Sequence, residues 1–277
     1  MPKPVLVIIG AGGMGAAIAR RVGFGRTLVL ADFDDARLES FTASMRGDGY
    51  DAIAQKVNVS DRSSVAALAD AAAKLGPVTG VAHTAGVSPE QAPVAAILAV
   101  DLLGTAIVLE EFVRVIAEGG AGVVISSMGG HMGSYPPELE RALASTPTDD
   151  LLALPFLSPE SLTNAGSAYS IAKRANQLRV TAAAPAWGVK GARINSISPG
   201  IISTPMGQLE LAGAGGEGMR AMLDASAAQR LGTPEDIANA TEFLLDPRSG
   251  FITGTDLLVD GGVIAALRSG LLTLPRG

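Results

Sequence analysis

Val5-Leu6-Val7-Ile8-Ile9-Gly10-Ala11-Gly12-Gly13-Met14-Gly15 is the stretch on which the reading of the fold turns. An unbroken apolar run such as Val5–Ile9 suits a parallel strand buried on both faces. A Gly-x-Gly-x-x-Gly motif follows at once, and Ala16–Val22 then reads as a helix. Strand, glycine motif and helix in that order are the context that gives the motif meaning. Gly10 permits the tight turn, Gly12 lets the backbone approach a pyrophosphate, and Gly15 allows the helix to pack closely on the strand. Gly13 and Met14 lie in the same turn, where the free N–H groups of a helix N-terminus can meet an anion. The plainer alternative is a glycine-rich turn with no ligand.

A second apolar run, Thr27–Ala31, ends at Asp32, 20 residues beyond Gly12. A carboxylate at that point accepts hydrogen bonds from the adenosine ribose of a dinucleotide. A 2′-phosphate would meet like charge there. Asp34 and Asp35 add to the repulsion, and Arg37 is the only nearby cation in the sequence. The pattern favours NAD over NADP. The alternative makes Asp32 the cap of a helix over Ala36–Met45, and the two roles can fall to different acids within Asp32-Phe33-Asp34-Asp35.

Further along, Ala52–Val59 reads as a third strand, with Asn58-Val59-Ser60-Asp61 leading into a helix over Ser63–Leu75. Val78–His83 is a fourth strand ending in His83-Thr84-Ala85-Gly86, Ala92–Ala117 is a long helical pattern, and Ala121–Ser127 is a fifth strand. Strands and helices alternating at this pace predict an α/β, Rossmann-type doubly wound parallel sheet with right-handed crossovers.

Composition narrows the function. Hydrophobic residues make up 48% of the 277 and charged ones only 17%, which points to a well-buried globular protein. The net charge is −6 and no basic cluster occurs, so nucleic acid is not an expected partner. With no cysteine there is no disulfide and no cysteine-ligated zinc, which suits a cytoplasmic setting. His83 and His131 are the only histidines, so no metal site is expected. The apolar run from Lys3 to Ala19 loosely imitates a signal peptide, but its glycine spacing has the better explanation above. Val94–Leu109 is interrupted by Asp101 and falls below the roughly 18 residues of a membrane span.

Tyr169-Ser170-Ile171-Ala172-Lys173 carries the chemistry. A tyrosine and a lysine four apart on a helix share one face. A phenol titrates near about 10, and an adjacent ammonium is expected to lower that value. Such a phenol passes a proton to or from an alcohol oxygen. Alone, the pair also fits two exposed helix residues.

Taken in order, these motifs resemble the short-chain dehydrogenase/reductase family. His83-Thr84-Ala85-Gly86 is similar to the family's Asn-Asn-Ala-Gly segment with its first two residues changed. Ser126-Ser127-Met128-Gly129 is similar to the serine strand end, with Ser127 matching the catalytic serine. Asn195-Ser196-Ile197-Ser198-Pro199-Gly200 followed by Thr204 resembles the segment that passes the nicotinamide, and Thr253–Gly262 the closing strand. The resemblance implies a single domain with a mostly seven-stranded parallel sheet, and a homo-oligomer, dimer or tetramer. It implies hydride transfer between NAD and a secondary alcohol or ketone. Tyr169 would be the general acid/base, Lys173 would tune it and hold the nicotinamide ribose, and Ser127 would bond the substrate oxygen. Cofactor contacts are expected from Gly10, Gly12, Gly13, Met14, Gly15, Asp32 and Phe33. Others are expected from Asn58, Val59, Thr84, Ala85, Gly86, Tyr169, Lys173, Pro199, Gly200, Ile202 and Thr204.

There are departures from the family pattern. Val100-Asp101-Leu102 fits the setting of the family's fourth catalytic residue, an asparagine, but carries Asp101. That carboxylate would orient a water on Lys173 and tend to raise the tyrosine pKa, or else simply bond backbone. The glycine loop is one residue shorter than the family's form. Ser127 and Tyr169 stand 42 residues apart, far more than in the family, so about 131–166 is an insertion. It follows a strand's C-terminal end and its leucines give it apolar faces, so it is expected to be a substrate lid, or else a subunit contact or surface decoration. Thr148 and Ser158-Pro159-Glu160 read as helix starts within it. A second mobile loop is expected over 206–228, where Met206, Leu209, Met219 and Met222 either close over an apolar substrate or merely pack. His131 reads as structural and His83 as a cofactor-wall residue. Thr233 and Pro234 start the last helix, and the tail Val263–Gly277 is apolar. The rival reading is a nucleotide-binding regulator on the same fold. Enoyl reduction is disfavoured because those relatives need Tyr-x6-Lys and residue 176 is Asn176.

Overall fold

The computed structural model describes residues 2–158, 160–162, 164–213 and 215–273. Its strands are β1 (Val5–Ile9), β2 (Thr27–Asp32), β3 (Asp51–Lys56), β4 (Val78–His83), β5 (Ile116–Ile125), β6 (Arg193–Pro199) and β7 (Asp256–Val259). They form one seven-stranded sheet in the order β3-β2-β1-β4-β5-β6-β7, with every neighbouring pair parallel. The helices are α1 (Gly13–Val22), α2 (Asp35–Gly47), α3 (Arg62–Leu75), α4 (Val94–Ile97), α5 (Gly104–Val115) and α6 (Pro137–Ser145). They continue with α7 (Ala165–Val189), α8 (Pro205–Ala212), α9 (Gly216–Ala225), α10 (Pro234–Leu245) and α11 (Val263–Arg268).

Period-two alternation along β1 splits the core into two layers. Val5, Val7 and Ile9 face α3, α5 and α7, packing with Val65, Leu68, Phe112, Val180 and Trp187. Leu6 and Ile8 face α1, α2 and α10, packing with Ile18, Phe41, Met45, Ile237 and Leu244. Both faces are covered, so the strand is apolar throughout and fully buried. The strand order reverses direction at β1 and β4, and the crevice beyond their C-terminal ends is where such sheets bind ligands. The whole forms a single domain.

Several local expectations are corrected. The third strand stops at Lys56, because Asn58 Oδ1 accepts from Ser60 N at 3.1 Å and from Ser60 Oγ at 2.7 Å and bends the chain toward α3. Asp34, not Asp32, caps α2, accepting from Arg37 N at 3.0 Å. The long pattern over Ala92–Ala117 breaks into α4, a π-helical turn at Leu98–Leu103, and α5. Thr233 and Pro234 do start a helix, with a reciprocal capping box to Asp236. That helix is not the last, since α11 follows.

Within the insertion, α6 is followed by 3-10 turns at Thr148–Ala153 and Pro155–Leu157. Thr148 does not cap. It is buried, and its hydroxyl meets Glu110 and receives Arg179 Nη2 at 3.0 Å. Of Ser158-Pro159-Glu160, Pro159 lies outside the described residues, as do Thr163, Ala214 and Leu274–Gly277 at the other expected segments. Leu143, Leu151, Leu157 and Leu162 pack with Ile97, Leu102, Ile171 and Ala175 into a third core cluster against α4, the π-helical turn, α5 and α7. Arg179 of α7 also donates to the carbonyls of Leu143 at 2.9 Å and Thr146 at 3.1 Å.

That packing makes the insertion a stability element. Leu143→Ala, at a fully buried position, is expected to cost about 2–5 kcal/mol in urea unfolding. A leucine on a loosely held flap would cost under about 0.5 kcal/mol.

Candidate active site

The glycine loop joins β1 to α1. Gly10 has φ +106°, and a β-carbon there would lie 2.5 Å from Thr84 Oγ1 and 2.6 Å from Ala85 N. A β-carbon on Gly15 would fall 1.9 Å from the Gly10 carbonyl oxygen. Gly12 is different: it caps α1 without a side chain, and nothing lies within 4 Å of where its β-carbon would be. The loop is crowded on its protein side and open at Gly12, over the free N–H groups of the helix. Thr84 Oγ1 bonds the Gly10 carbonyl at 3.0 Å and fastens the loop to the end of β4.

Asp32 is buried and its carboxylate is already engaged. Oδ2 accepts from Ala11 N at 2.6 Å and Oδ1 from Asp34 N at 2.9 Å. It therefore ties the glycine loop to β2 as well as facing the crevice end. Phe33 is exposed beside it. Lys56, at the end of β3, pairs with Asp35 and sits 5.9 Å over the Phe33 ring. It is a second cation beside Arg37, and proximity in sequence did not reveal it. Asn58 Oδ1 is committed to its turn, and Val59 packs where a β-carbon on Gly104 would be 2.8 Å away.

The Pro199–Thr204 segment closes the other side. Gly200 N donates to the Val259 carbonyl at 2.9 Å. Ile202 turns its side chain into the core beneath the sheet's end, and its carbonyl accepts from Thr204 N at 2.8 Å. Thr204 caps α8, and its methyl carbon lies 3.2 Å from the β-carbon position of Gly13. A cavity of about 220 Å³ lies beside Gly200–Ile202, lined also by Leu223, Arg230 and Asp260, and includes none of Ser127, Tyr169 and Lys173.

Tyr169 and Lys173 stand one turn apart on α7, with Lys173 Nζ 5.3 Å from the Tyr169 ring centroid. Ser127 ends β5 and caps the short 3-10 turn Met128–His131, its Oγ accepting from Gly129 N at 3.1 Å. The Tyr169 ring lies beside it: a β-carbon on Gly129 would be 3.5 Å from both Ser127 Oγ and Tyr169 Cε1. Asp101 occupies the π-helical turn, fully buried. One carboxylate oxygen accepts from Val87 N at 2.8 Å, and the other lies 3.3 Å from Lys173 Nζ. The latter contact is an ion pair out of hydrogen-bond alignment, and this oxygen has no other partner among the described residues. Gly86 has no side chain because a β-carbon would lie 3.2 Å from both Asp101 Oδ1 and Lys173 Nζ. Thr105 Oγ1 donates to the Asp101 carbonyl at 2.9 Å and meets His83 Nε2 at 3.2 Å.

The electrostatics follow from burial. Burial pushes the Asp101 carboxyl up. It pushes Lys173 down, but Asp101, Tyr169 and Glu210 together outweigh that effect and hold the ammonium above its ordinary value. Burial also raises Tyr169; Lys173 and the Ser127 hydrogen bond pull it down, Asp101 and Glu210 push it up, and the net direction is upward. Lys173 does pull the phenol down as expected, but burial first, and then Asp101, outweigh it and leave the phenol above its ordinary value. His83 is pushed down to about 3, by burial first and then by Lys173. It is a neutral wall residue.

Two acids were missed by reading the sequence. Glu90 follows β4 and Glu210 is on α8, whose start abuts Gly13 and whose end at Gly213 abuts the Glu90 carboxyl. The helix therefore runs across the mouth of the site. Burial, then Glu90, raises Glu210, while Lys173 draws it down. A lone carboxylate within an apolar, methionine-containing segment was the available signal. Met219 and Met222 pack with Met128, Ile201 and Ile264 of α11. His131 is held by Asp256, with Nε2 at 2.7 Å.

Comparisons with known proteins bear on the family and the fold. Residues 3–136 match the family model described as short chain dehydrogenase, and residues 141–264 match one described as enoyl-(acyl carrier protein) reductase. A short-chain dehydrogenase/reductase of Alternaria brassicicola is 43% identical, the alignment covering 96% of this chain and 98% of that protein. The cis-4-hydroxycyclohexanecarboxylate dehydrogenase of Sinomonas cyclohexanicum is 29% identical, covering 94% and 96%. The solved structure of levodione reductase superposes with a TM-score of 0.76 at 24% identity, covering 95% of this chain and 98% of that one.

The Lys173–Asp101 pair can be tested apart from any activity. Asp101→Ala strands a buried ammonium and is expected to cost about 3–5 kcal/mol in urea unfolding at pH 7. The pair raises the lysine pKa, so its stabilisation is fully present below the unfolded lysine value and fades only as pH rises through the folded one. In the variant the stranded ammonium gives up its proton in that buried site, so the loss should shrink as pH rises from 7 to 9.

Proposed function

This chain belongs to the short-chain dehydrogenase/reductase family of oxidoreductases, and we propose that within it the protein transfers hydride between NAD and a secondary alcohol or ketone. The observation that carries the reading is the convergence of Ser127, Tyr169 and Lys173 at the strand ends beside the opening at Gly12. The loop fits a dinucleotide: β-carbons are excluded at Gly10 and Gly15 by the protein itself, Gly12 is open, and the first N–H groups of α1 are free there. Gly10–Gly15 would hold the pyrophosphate, Asp32 the adenosine ribose and Lys173 the nicotinamide ribose. When bound, the nicotinamide supplies the hydride acceptor or donor.

The chain's own residues handle the proton. Ser127 Oγ accepts from Gly129 N, which leaves its proton for the substrate oxygen. That bond stabilises charge developing on the oxygen. Tyr169 gives or takes the proton, and its raised pKa keeps the phenol protonated at neutral pH. Protonated phenol is the form that serves ketone reduction, so alcohol oxidation should climb toward alkaline pH. Asp101 is a positioning residue that holds Lys173 by charge, in place of an amide.

NAD is preferred over NADP in this reading because Asp32, Asp34 and Asp35 cluster at the end of β2. The two nearby cations are locally neutralised, Lys56 by Asp35 and Arg37 by Asp34 at 3.7 Å. We read the substrate as a small, largely apolar molecule with one polar end toward Glu210 and Glu90. Enoyl reduction is disfavoured by the Tyr169–Lys173 spacing and Asn176. A cytoplasmic homo-oligomer fits exposed Phe243 and Phe251 near the edge strand β7, and no helix among the described residues is long and apolar enough to cross a membrane.

Tyr169→Phe should retain NAD binding by calorimetry and lose about 10²–10⁴-fold in kcat on a panel of secondary alcohols. A parent enzyme inert on every alcohol and ketone would favour the regulator reading instead. The parent's kcat/KM should be higher with NAD than with NADP. Asp101→Asn removes a negative charge near the phenol, so the basic limb of the oxidation profile should move to lower pH. An unmoved or alkaline-shifted limb would remove Asp101 from the electrostatic account.

A further inference from the structure

Behind Tyr169, a chain of polar side chains outside the proposed chemistry fastens the Ser127 turn to α7 and β7. Ser126 Oγ donates to the Lys173 carbonyl at 2.7 Å, joining the end of β5 to the catalytic helix. Gly130 lies against the same helix, where a β-carbon would be 2.6 Å from Gln177 Nε2 and 2.9 Å from Arg174 N. Gln177 is buried and bridges outward in both directions. Its Oε1 accepts from Arg174 Nη1 at 3.0 Å. Its Nε2 donates to Ser198 Oγ at 3.0 Å and, more weakly, to the Ser127 carbonyl at 3.4 Å. Arg174 is itself held by Glu140 of α6 at 2.7 Å.

Beyond Ser198 the chain ends on Asp256 of β7. Oδ1 accepts from Ser196 Oγ at 2.6 Å and from Ser198 Oγ at 3.0 Å, and Oδ2 meets His131 Nε2 at 2.7 Å. The direction of every bond follows from its ends. Arg174 can only donate and the Asp256 carboxylate only accepts, so the Gln177 amide has one orientation and His131 carries its proton on Nε2. The turn Ser127–His131 is thus gripped at both ends, by Gln177 at the Ser127 carbonyl and by Asp256 at the His131 ring. Both grips come from elements more than 45 residues away in sequence.

We infer that His131 and Gln177 are positioning residues that hold the Ser127 hydroxyl against the Tyr169 phenol, with α6 of the insertion as the outer end of the clamp. The inference rests on the Ser127–Tyr169 reading above. A misplacement of about 1 Å at a reacting group can cost about 100-fold in rate, so the clamp is expected to show in kcat. Cofactor affinity should not move, because neither residue touches the glycine loop or the Pro199–Thr204 backbone.

The test is a double-mutant cycle on the full chain, with calorimetric NAD affinity as the control. His131→Phe, which cannot donate to Asp256, should lower kcat for the best alcohol by about 10- to 100-fold. NAD affinity should remain at the parent value. His131→Gln, whose amide can donate, should recover most of the loss. In a Ser127→Ala background, His131→Phe should lower kcat little further, because its effect passes through the hydroxyl. Parent-level kcat for His131→Phe, an equal loss in both backgrounds, or no rescue by His131→Gln would each overturn the proposal. If His131→Phe does not fold, Gln177→Met run through the same cycle reads the clamp from its other end. Failure of the acid–base reading itself would appear separately, as a Tyr169→Phe enzyme that turns over normally.

Discussion

An ammonium withdrawn almost completely from water needs an opposite charge, and Lys173 meets that need with Asp101. Lys173 is 5% exposed and Asp101 fully buried. Neither group would remain ionised alone in such surroundings. Together they fix the facing surfaces of α7 and the π-helical turn, and they crowd the position of a β-carbon on Gly86. The same pairing sets the chemistry nearby. Part of the lysine's pull on Tyr169 is cancelled by the carboxylate, and burial then keeps the phenol above its ordinary value. His83, buried near the same ammonium, is held below its ordinary value, by burial first and by Lys173 second.

The glycine loop between β1 and α1 obeys a steric constraint rather than an electrostatic one. Backbone has to approach backbone at Gly10 and Gly15, so side chains are excluded there by contact with β4 and with the loop itself. At Gly12 nothing in the protein lies within 4 Å of a β-carbon. Asp32 and Thr84 then pin the loop from β2 and β4, the strands on either side of β1. One glycine motif therefore serves the sheet and the crevice together.

The insertion adds a third layer of packing instead of lying loosely over the surface. Its leucines join α4, α5 and α7 in one apolar cluster, and Arg179 satisfies carbonyls that would otherwise be buried without partners. From α6 a polar chain runs through Arg174 and Gln177 to β7. Buried polar networks rigidify when every member is satisfied, and this one encloses the turn that carries Ser127. Near the mouth, Glu90 and Glu210 put negative charge beside walls that are otherwise apolar.

Much of this was legible in the chain itself. Period and punctuation are local properties, so the apolar runs, the glycine spacing and the Tyr-x-x-x-Lys face marked five of the strands, the loop and α7. Asp101 was recognisable as the exception in its setting, and His131 as structural. The sequence did not show which carboxylate meets which cation: Lys56 reaches Asp35 from the next strand, and Asp101 reaches Lys173 across 72 positions. Nor did it show that Glu210 and Glu90 converge, that Thr148 is a buried anchor, or that the phenol is raised. Each of these depends on how far side chains from distant elements are removed from water and what they then touch. Sheet order and helix packing decide that, and no short window of residues encodes it.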